Sequence, residues 1–482
     1  MIKLKFCGGA RTVTGSMHLV KTEQSRVLID AGLFQGRRKD FYDINNYFIF
    51  PPDKINALVL SHAHIDHSGN IPNLVKHGMR APIHATSATV DLCRLMLPDS
   101  GHIQEEDIRF VNKINLRKGI PPVKPLYTKA DAHNALEYFR GSYYEEPIKI
   151  TPDINCTFYE SGHVLGSAIP VLEINPAPAS GVATESRLFR GRGGVNGIRL
   201  AYAVDLGRKN LPLLRNPVVP KDIDYLIIES TYGNRLHDPI ETAKSKLAEV
   251  INRTIKRGGR VIIPSFAFER TQEVVYFLNE LFTKGAIPQV PIYVDSPLAT
   301  NITLAFQQNI RYLDEATQDM MRRQQDPFGF SRIKYIRSTD ESKRLNADKQ
   351  PMVILSASGM CEAGRILHHL KNNIENHNNT ILVIGYMAEN TLGKKIVERQ
   401  PVVKIFGEEY RLRAEVVKIN SFSAHADKDA LLEFIKQCAP KKKIFLVHGD
   451  MEQSEPFLEQ LKKLGLPAYL PTKNEEVELR EA

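Results

Sequence analysis

The sequence predicts an α/β protein of two or three domains, on three observations. The first 80 residues alternate short β-type runs with turns. From about residue 215, continuous apolar strands alternate with helical segments, the pattern of a parallel sheet with helices on its faces. The last 60 residues return to a strand–helix–strand rhythm. A chain of 482 residues is too long for one ordinary domain. Its 42% hydrophobic and 25% charged residues are the balance of a globular protein with ample core material.

The elements follow in order. "IKLKFCGGA", "SMHLVKT", "SRVLIDAG" and "INALVLSHAH" read as successive strands. "NIPNLVKHG" is helical and "APIHAT" a strand; "SATVDLCRLMLPDSGHIQEEDIRFVNKINLRKG" has helical apolar spacing. Within it, "DSGHIQEED" (99–107) reads as a solvated helix start near a site. "IKITPDINCTFYES" and "IRLAYAVDLG" are further strands. Between them, residues 175–197 are rich in Pro, Ala, Ser, Gly and Arg and read as a surface loop or insertion. "IDYLIIEST", "GGRVIIPSF", "PIYVDSP", "PMVILSAS" and "TILVIGY" are the five continuous apolar strands of the middle region. His368 and His369, in a helical context, read as packing or surface residues.

No run of about 18 apolar residues occurs, so no membrane span is expected. The start, "MIKLKFCGGARTVTGS", has no signal-peptide pattern. Five dispersed cysteines without a Cys-x-x-Cys pair argue against a disulfide framework or a cysteine zinc site. Together these favour the cytoplasm. A formal net charge of +9 permits a polyanionic partner without establishing one.

"SHAHIDHSGN" (61–70) follows the buried-strand run "INALVL". His62, His64, Asp66 and His67 therefore crowd the exit of a core strand. In extended backbone His62 and His64 point to one side and can grip one ion; Asp66 and His67, at the turn, can reach a second. Imidazole and carboxylate without thiolate suit Zn²⁺, with Mn²⁺ a weaker fit. Four side chains do not complete two ions. "YESGHVLGSA" supplies His163, "AYAVDLG" supplies Asp205 and "VLIDAGLFQG" supplies Asp30, each at a strand end. A carboxylate there without a partner is costly, and Asp205 is suited to bridge two cations.

"VLIDAG", "HAHIDH", "SGHVLGSA" and "AYAVDLG", in that order, resemble the motif series of the metallo-β-lactamase fold, an αββα sandwich with a two-metal site at the sheet edge. The resemblance implies that His62, His64 and His163 bind the first zinc and that Asp66 and His67 bind the second. Asp205 bridges, and Asp30 orients the site by hydrogen bonds. The fold alone leaves function open. In the second half, "IIESTYGNR" with Glu229, "SFSAHAD" with His425 and "IFLVHGD" with His448 resemble the three signature motifs of the β-CASP nucleases. "IPSFAFERTQE", "VDSPLA", "SASGMCEAGRILHHL" and "GYMAENTLG" resemble bacterial members of that branch.

This second resemblance implies a β-CASP cap, residues 223–420, inserted into a metallo-β-lactamase domain formed by 1–222 and 421–482. Histidine at the third motif implies RNA rather than DNA, and His448 then completes the second zinc shell. The implied protein is a zinc ribonuclease, an endoribonuclease with 5′→3′ exonuclease activity left open. Its two Zn²⁺ per chain would activate a hydroxide against the phosphodiester bonds of single-stranded RNA. Catalytic roles fall to Asp66, Asp30, Glu229 and His425: His425 donates a proton to the leaving oxygen, and Glu229 orients it. Ser265, Arg270, Ser356, Ser358 and Arg365 are candidate backbone-phosphate contacts, with ordinary loop and cap chemistry the alternative. A homodimer is left open, and no membrane partner is expected.

Overall fold

The computed structural model describes residues 1–36, 38–174, 197–385, 387–388, 390–420 and 422–480, with only the backbone of Arg38 and Lys39. The stretch expected to be a surface insertion, 175–197, lies outside the described residues apart from Gly197. The chain divides into two compact units. Unit 1 comprises Met1–Lys209, Asn216–Leu236 and His425–Ala482; unit 2 comprises Asn210–Arg215 and His237–Ala424.

Unit 1 holds two seven-stranded sheets. The first runs, edge to edge, Glu476–Leu479, Ile2–Gly8, Met17–Lys21, Arg26–Ile29, Ala57–Val59, Ile83–Thr86 and Phe139–Ser142. The second runs Ala468–Tyr469, Lys443–Val447, Tyr225–Glu229, Ile198–Ala203, Ala168–Ile174, Ile154–Glu160 and Ile148–Thr151. Leu4, Phe6, Val27 and Val59 of the first sheet share one buried core with Phe158, Leu200, Tyr202, Ile227 and Phe445 of the second. The alternate residues Ala201, Leu226, Ile228, Ile444 and Leu446 bury the outer face of the second sheet. They pack under Leu431, Phe434 and Ile435 of the helix Lys428–Cys438 and under Phe457 and Leu461 of the helix Met451–Lys463. Covered on both faces, Tyr225–Ile228 and Ile444–Val447 form continuous apolar runs, as buried parallel strands do.

Strand direction places the site. Arg26–Ile29 and Ala57–Val59 are parallel neighbours, as are Ile198–Ala203, Tyr225–Glu229 and Lys443–Val447. Asp30, His62, Asp205 and His448 therefore follow C-terminal strand ends, where α/β folds gather their ligands.

Unit 2 is built on a six-stranded, wholly parallel sheet in the order Ile333–Tyr335, Ile292–Asp295, Val353–Ser356, Val261–Pro264, Thr380–Ile384, Glu415–Ile419. Ile262, Ile354, Ile381 and Val383 pack against Ile366 and Leu370 of the helix Ile366–Asn373 and against Ile396. The helix Pro297–Gln308 starts where its pattern demands, with Pro297 in the first turn and Ser296 Oγ accepting from Ala299 N at 3.2 Å.

Two expectations need correction. "IDYLIIEST" does not open the middle parallel sheet: Tyr225–Glu229 pairs with Ile198–Ala203 and Lys443–Val447 in unit 1, and the units part at 236/237 and 424/425. A continuous apolar run marks any doubly covered strand and does not say which sheet it joins. Nor is 99–107 a helix start. It lies inside one helix, Ser87–Arg117, whose N-cap is Thr86, its side chain accepting from Thr89 N at 3.2 Å. Gly101 is there for close packing: a Cβ would meet Lys129 N at 2.8 Å. His102 is exposed and in none of the potential metal-holding groups among the described residues.

Candidate metal centre

All ten site residues expected from the lactamase-type and β-CASP motifs lie in unit 1. Three groups of donor atoms converge: His62, His64, His163 and Asp205; Asp66, His67 and His448; Asp205, Glu229 and His425; in each, the donor atoms lie within 4.8 Å of one another. The short helix Ile65–Ser68 places Asp66 and His67 one turn beyond the extended His62–His64 segment.

His62 Nε2 is 3.1 Å from His64 Nδ1, and His163 Nε2 is 3.3 Å from the same atom. Asp205 Oδ2 lies 3.3 Å from His62 Nε2, 3.4 Å from His163 Nε2 and 3.5 Å from His67 Nε2. Its other oxygen is 3.1 Å from His448 Nδ1. His448 Nε2 stands 3.2 Å from His67 Nε2 and 3.5 Å from Asp66 Oδ2. Asp205 thus reaches both groups. Nitrogen and oxygen lone pairs facing one another in a buried site repel unless a cation sits among them, and the all-imidazole and carboxylate donor set suits zinc. The residues fit a metal.

Supporting contacts hold four of the histidines, His62, His67, His163 and His448. Asp30, fully buried, is 2.6 Å from His67 Nδ1 and accepts from Ser61 N at 2.7 Å and Ser61 Oγ at 2.8 Å. Ser61 Oγ is also 3.0 Å from His62 Nδ1. Ser167 Oγ accepts from the backbone N–H groups of His163 and Val164, both at 3.1 Å. Thr231 Oγ1 donates to His448 O at 2.8 Å. Ser61, Ser167 and Thr231 escaped sequence reasoning; their signal is only a hydroxyl beside a ligand motif. Asp30, Asp205 and His448 all adopt positive φ, 58°, 57° and 46°, a region costing about 1 kcal/mol or more for such residues. The sharp turn throws each side chain back over the sheet edge.

Electrostatics sort the histidines. Burial pushes the imidazoles of His62, His64 and His163 down, His64 to about 3, which keeps them in the neutral, metal-binding form. Burial opposes ionisation of Asp205, yet His448 and His67 outweigh it and hold the carboxyl well below its usual range. His448 is pushed the other way: burial lowers it, but Asp205 and Asp66 lift it to about 9. His425 behaves alike: burial lowers it, and Glu229 and Asp205 raise it to about 9. Its Nδ1 is 3.0 Å from Glu229 Oε2, and the other Glu229 oxygen accepts from Leu206 N. The His425 ring lies 4.6 Å from that of His163.

The five candidate phosphate contacts lie in unit 2 and have partners there. Arg270 pairs with Glu273. Arg365 binds Asp295 Oδ1 at 2.7 Å and Arg337 O at 2.7 Å. Ser356 Oγ donates to Asp295 O at 2.9 Å, and Ser265 Oγ accepts from Thr271 Oγ1 at 3.0 Å. Ser358 Oγ accepts from Glu362 N at 3.2 Å and Ala363 N at 3.3 Å. His369, expected as a packing or surface residue, is fully buried with its Nε2 2.6 Å from Asp295 Oδ2. All five cysteines are free and buried. No helix among the described residues is long and apolar enough to cross a membrane.

Comparison with known proteins fits this geometry. Residues 10–144 match the metallo-beta-lactamase superfamily, 271–396 the Beta-Casp domain, and 409–471 the Zn-dependent metallo-hydrolase RNA specificity domain. Ribonuclease TTHA0252 of Thermus thermophilus is 34% identical over 475 residues, 98% of this chain and 96% of that protein. The RNase J-like protein of Methanocaldococcus jannaschii is 32% identical over 477 residues, 98% and 99% of the two chains. A crystal structure of a protein of unknown function from Enterococcus faecalis shares the fold, with a TM-score of 0.56 at 13% identity, covering 99% of this chain and 100% of that one. With identity above 30% sustained along almost the whole of two relatives, and both domain types matched in their own stretches, this chain belongs to the β-CASP branch of the metallo-β-lactamase superfamily.

Proposed function

We propose that the protein is a zinc-dependent ribonuclease that hydrolyses phosphodiester bonds of single-stranded RNA in the cytoplasm, cutting internally. One observation carries the reading: the segment matched to an RNA specificity domain delivers His448 beside Asp66, His67 and Asp205. The names of the relatives, Ribonuclease and RNase J-like protein, point the same way.

In this reading His62, His64 and His163 would hold one zinc and Asp66, His67 and His448 a second, with Asp205 within reach of both groups. When bound, the ions supply Lewis acidity that makes water nucleophilic at neutral pH and offsets charge on the phosphate. Asp30 accepts from His67 Nδ1–H and so aims Nε2 inward. Glu229 does the same for His425: with Nδ1–H turned to the carboxylate, Nε2–H remains as the proton for the departing 3′ oxygen. Expulsion of that oxygen by external water leaves 5′-phosphate and 3′-hydroxyl ends. Asp66 acts as ligand and as hydrogen-bond partner to His448. Of the five candidate phosphate contacts, Ser358 is the best suited, because its hydroxyl accepts from two backbone N–H groups and can donate to a phosphate oxygen. A homodimer is compatible with this role.

The test is cleavage of an end-labelled single-stranded RNA and of the matched DNA by the zinc-loaded protein. RNA cut internally, with the DNA left intact, is the expected result. Cleavage of DNA alone, or of neither, would overturn the proposal.

A further inference from the structure

The long helix Ser87–Arg117 changes character along its length. Its first half is buried through Leu92, Cys93 and Leu97. Beyond residue 102, large apolar side chains stand in solvent: Ile103 is 45% exposed, Phe110 62% and Ile114 37%. At positions i, i+7 and i+11 these three lie on one helical face. The returning segment adds Ile120 and Val123, 49% and 44% exposed. That segment is fastened to the helix. Asn112 Nδ2 donates to Val123 O and Val123 N donates to Asn112 Oδ1, both at 2.9 Å, and Ile120 N donates to Asn115 O at 2.9 Å. The apolar patch is therefore held in place, and a contiguous exposed patch of this kind marks an interaction surface.

The charges on the same face say what covers it. N-terminal to Phe110 come Glu106 and Asp107; C-terminal to it come Lys113 and Arg117. All four are exposed. Acid before and base after a central aromatic is self-complementary under a two-fold axis. Two copies of this helix, antiparallel and crossing at Phe110, set Asp107 of each against Lys113 of the other, since both lie three residues from the axis. They also set Ile103 against the methylene stem of Arg117, and the two Phe110 rings meet at the centre. A parallel pairing of the same two helices in register would instead face acid with acid and base with base.

We propose that this face is a homodimer interface, formed by antiparallel pairing of the second half of the helix Ser87–Arg117 between two copies of the chain. One helix face and a loop make a small interface, so the dimer is weak and reversible.

Sedimentation velocity over roughly 1–100 µM protein tests this. The wild type should move from monomer to dimer across that range. Phe110→Asp should raise the dimer dissociation constant by about tenfold or more. Asp107→Lys and Lys113→Asp should each weaken the dimer by several-fold through like-charge facing. The double variant Asp107→Lys/Lys113→Asp should bring the constant back to within about threefold of wild type, because the exchanged charges again oppose. These exposed positions should leave the melting temperature unchanged, which separates lost association from lost folding. A wild type monomeric at every concentration would overturn the proposal, as would a dimer indifferent to Phe110→Asp or a double variant weaker than either single one. Monomeric protein whose RNA affinity falls with Lys113→Asp would assign the face to RNA and overturn it too.

Discussion

Glu229 Oε2 stands 3.0 Å from His425 Nδ1, while His448, the next site histidine along the chain, points its Nδ1 at Asp205 Oδ1 3.1 Å away. Two histidines of similar elevation thus have different neighbours: part-exposed His425 faces a glutamate outside both histidine groups, and buried His448 faces a carboxylate shared between them. The first predicted outcome follows. Replacing His425 or His448 by Ala should suppress RNA cleavage, by about 10²-fold or more for a lost proton donor. His425→Ala should retain both zinc ions by elemental analysis and still bind RNA; His448→Ala should release one ion to mild chelation. An RNA with a 3′-bridging sulfur at the cut should restore His425→Ala more than His448→Ala, because a thiolate leaves without a proton. The reverse pattern of metal loss would exchange the two roles.

Asp30 is in none of the donor groups among the described residues and reaches them through His67 and Ser61. Asp30→Ala should lower zinc affinity by about 10–100-fold, read by competition with a chromophoric chelator. Unchanged affinity would show that the His67 ring is held by packing alone.

The ends of the products report the nucleophile. Attack by water should give 5′-phosphate and 3′-hydroxyl termini, so the downstream fragment should be a substrate for a 5′-phosphate-dependent exonuclease. A 2′,3′-cyclic phosphate on the upstream fragment would mean that the neighbouring 2′-hydroxyl attacks, and the roles given above would not hold.

In unit 2, burial would raise the Asp295 carboxyl, but His369, Ser342 and Arg365 outweigh it and hold it below the usual value of 3.8. A lowered folded-state pKa stabilises the fold above the unfolded value and is lost as pH falls through the folded one. Asp295→Ala should lower stability at pH 7 by about 3–5 kcal/mol, since it strands a buried imidazole and a guanidinium. It should also lose less stability than wild type as the pH falls below the ordinary carboxyl value of 3.8, because the group that titrates there is gone. Thermal melting at pH 7 and in acid checks the two signs.

Much of the site was legible because ligand chemistry concentrates in short motifs. "HAHIDH" is dense enough in donors to announce a metal, and Asp30, Asp205, Glu229 and His448 each end an apolar strand run. The helix Ser87–Arg117 was legible from its apolar spacing. Its interior "DSG" misled, because a cap signal and a close-packing glycine look alike until the neighbour, the backbone of Lys129, is known. The candidate phosphate residues show the same limit. Arg365 and Asp295 are 70 residues apart, and no local pattern shows that the guanidinium is already taken.

By itself the sequence determined the element types, the ligand residues and the family, because strand period, donor identity and motif order are local properties of the chain. Only the tertiary structure decided which sheet Tyr225–Glu229 joins, that Asp205 faces both donor groups, and that Ser61, Ser167 and Thr231 hold the ligands in place. It also decided that Ile103, Phe110 and Ile114 stand exposed, with no cover among the described residues. These depend on contacts between residues distant in sequence. Contacts of that kind are set by how sheets stack and strands order, which a one-dimensional pattern does not encode.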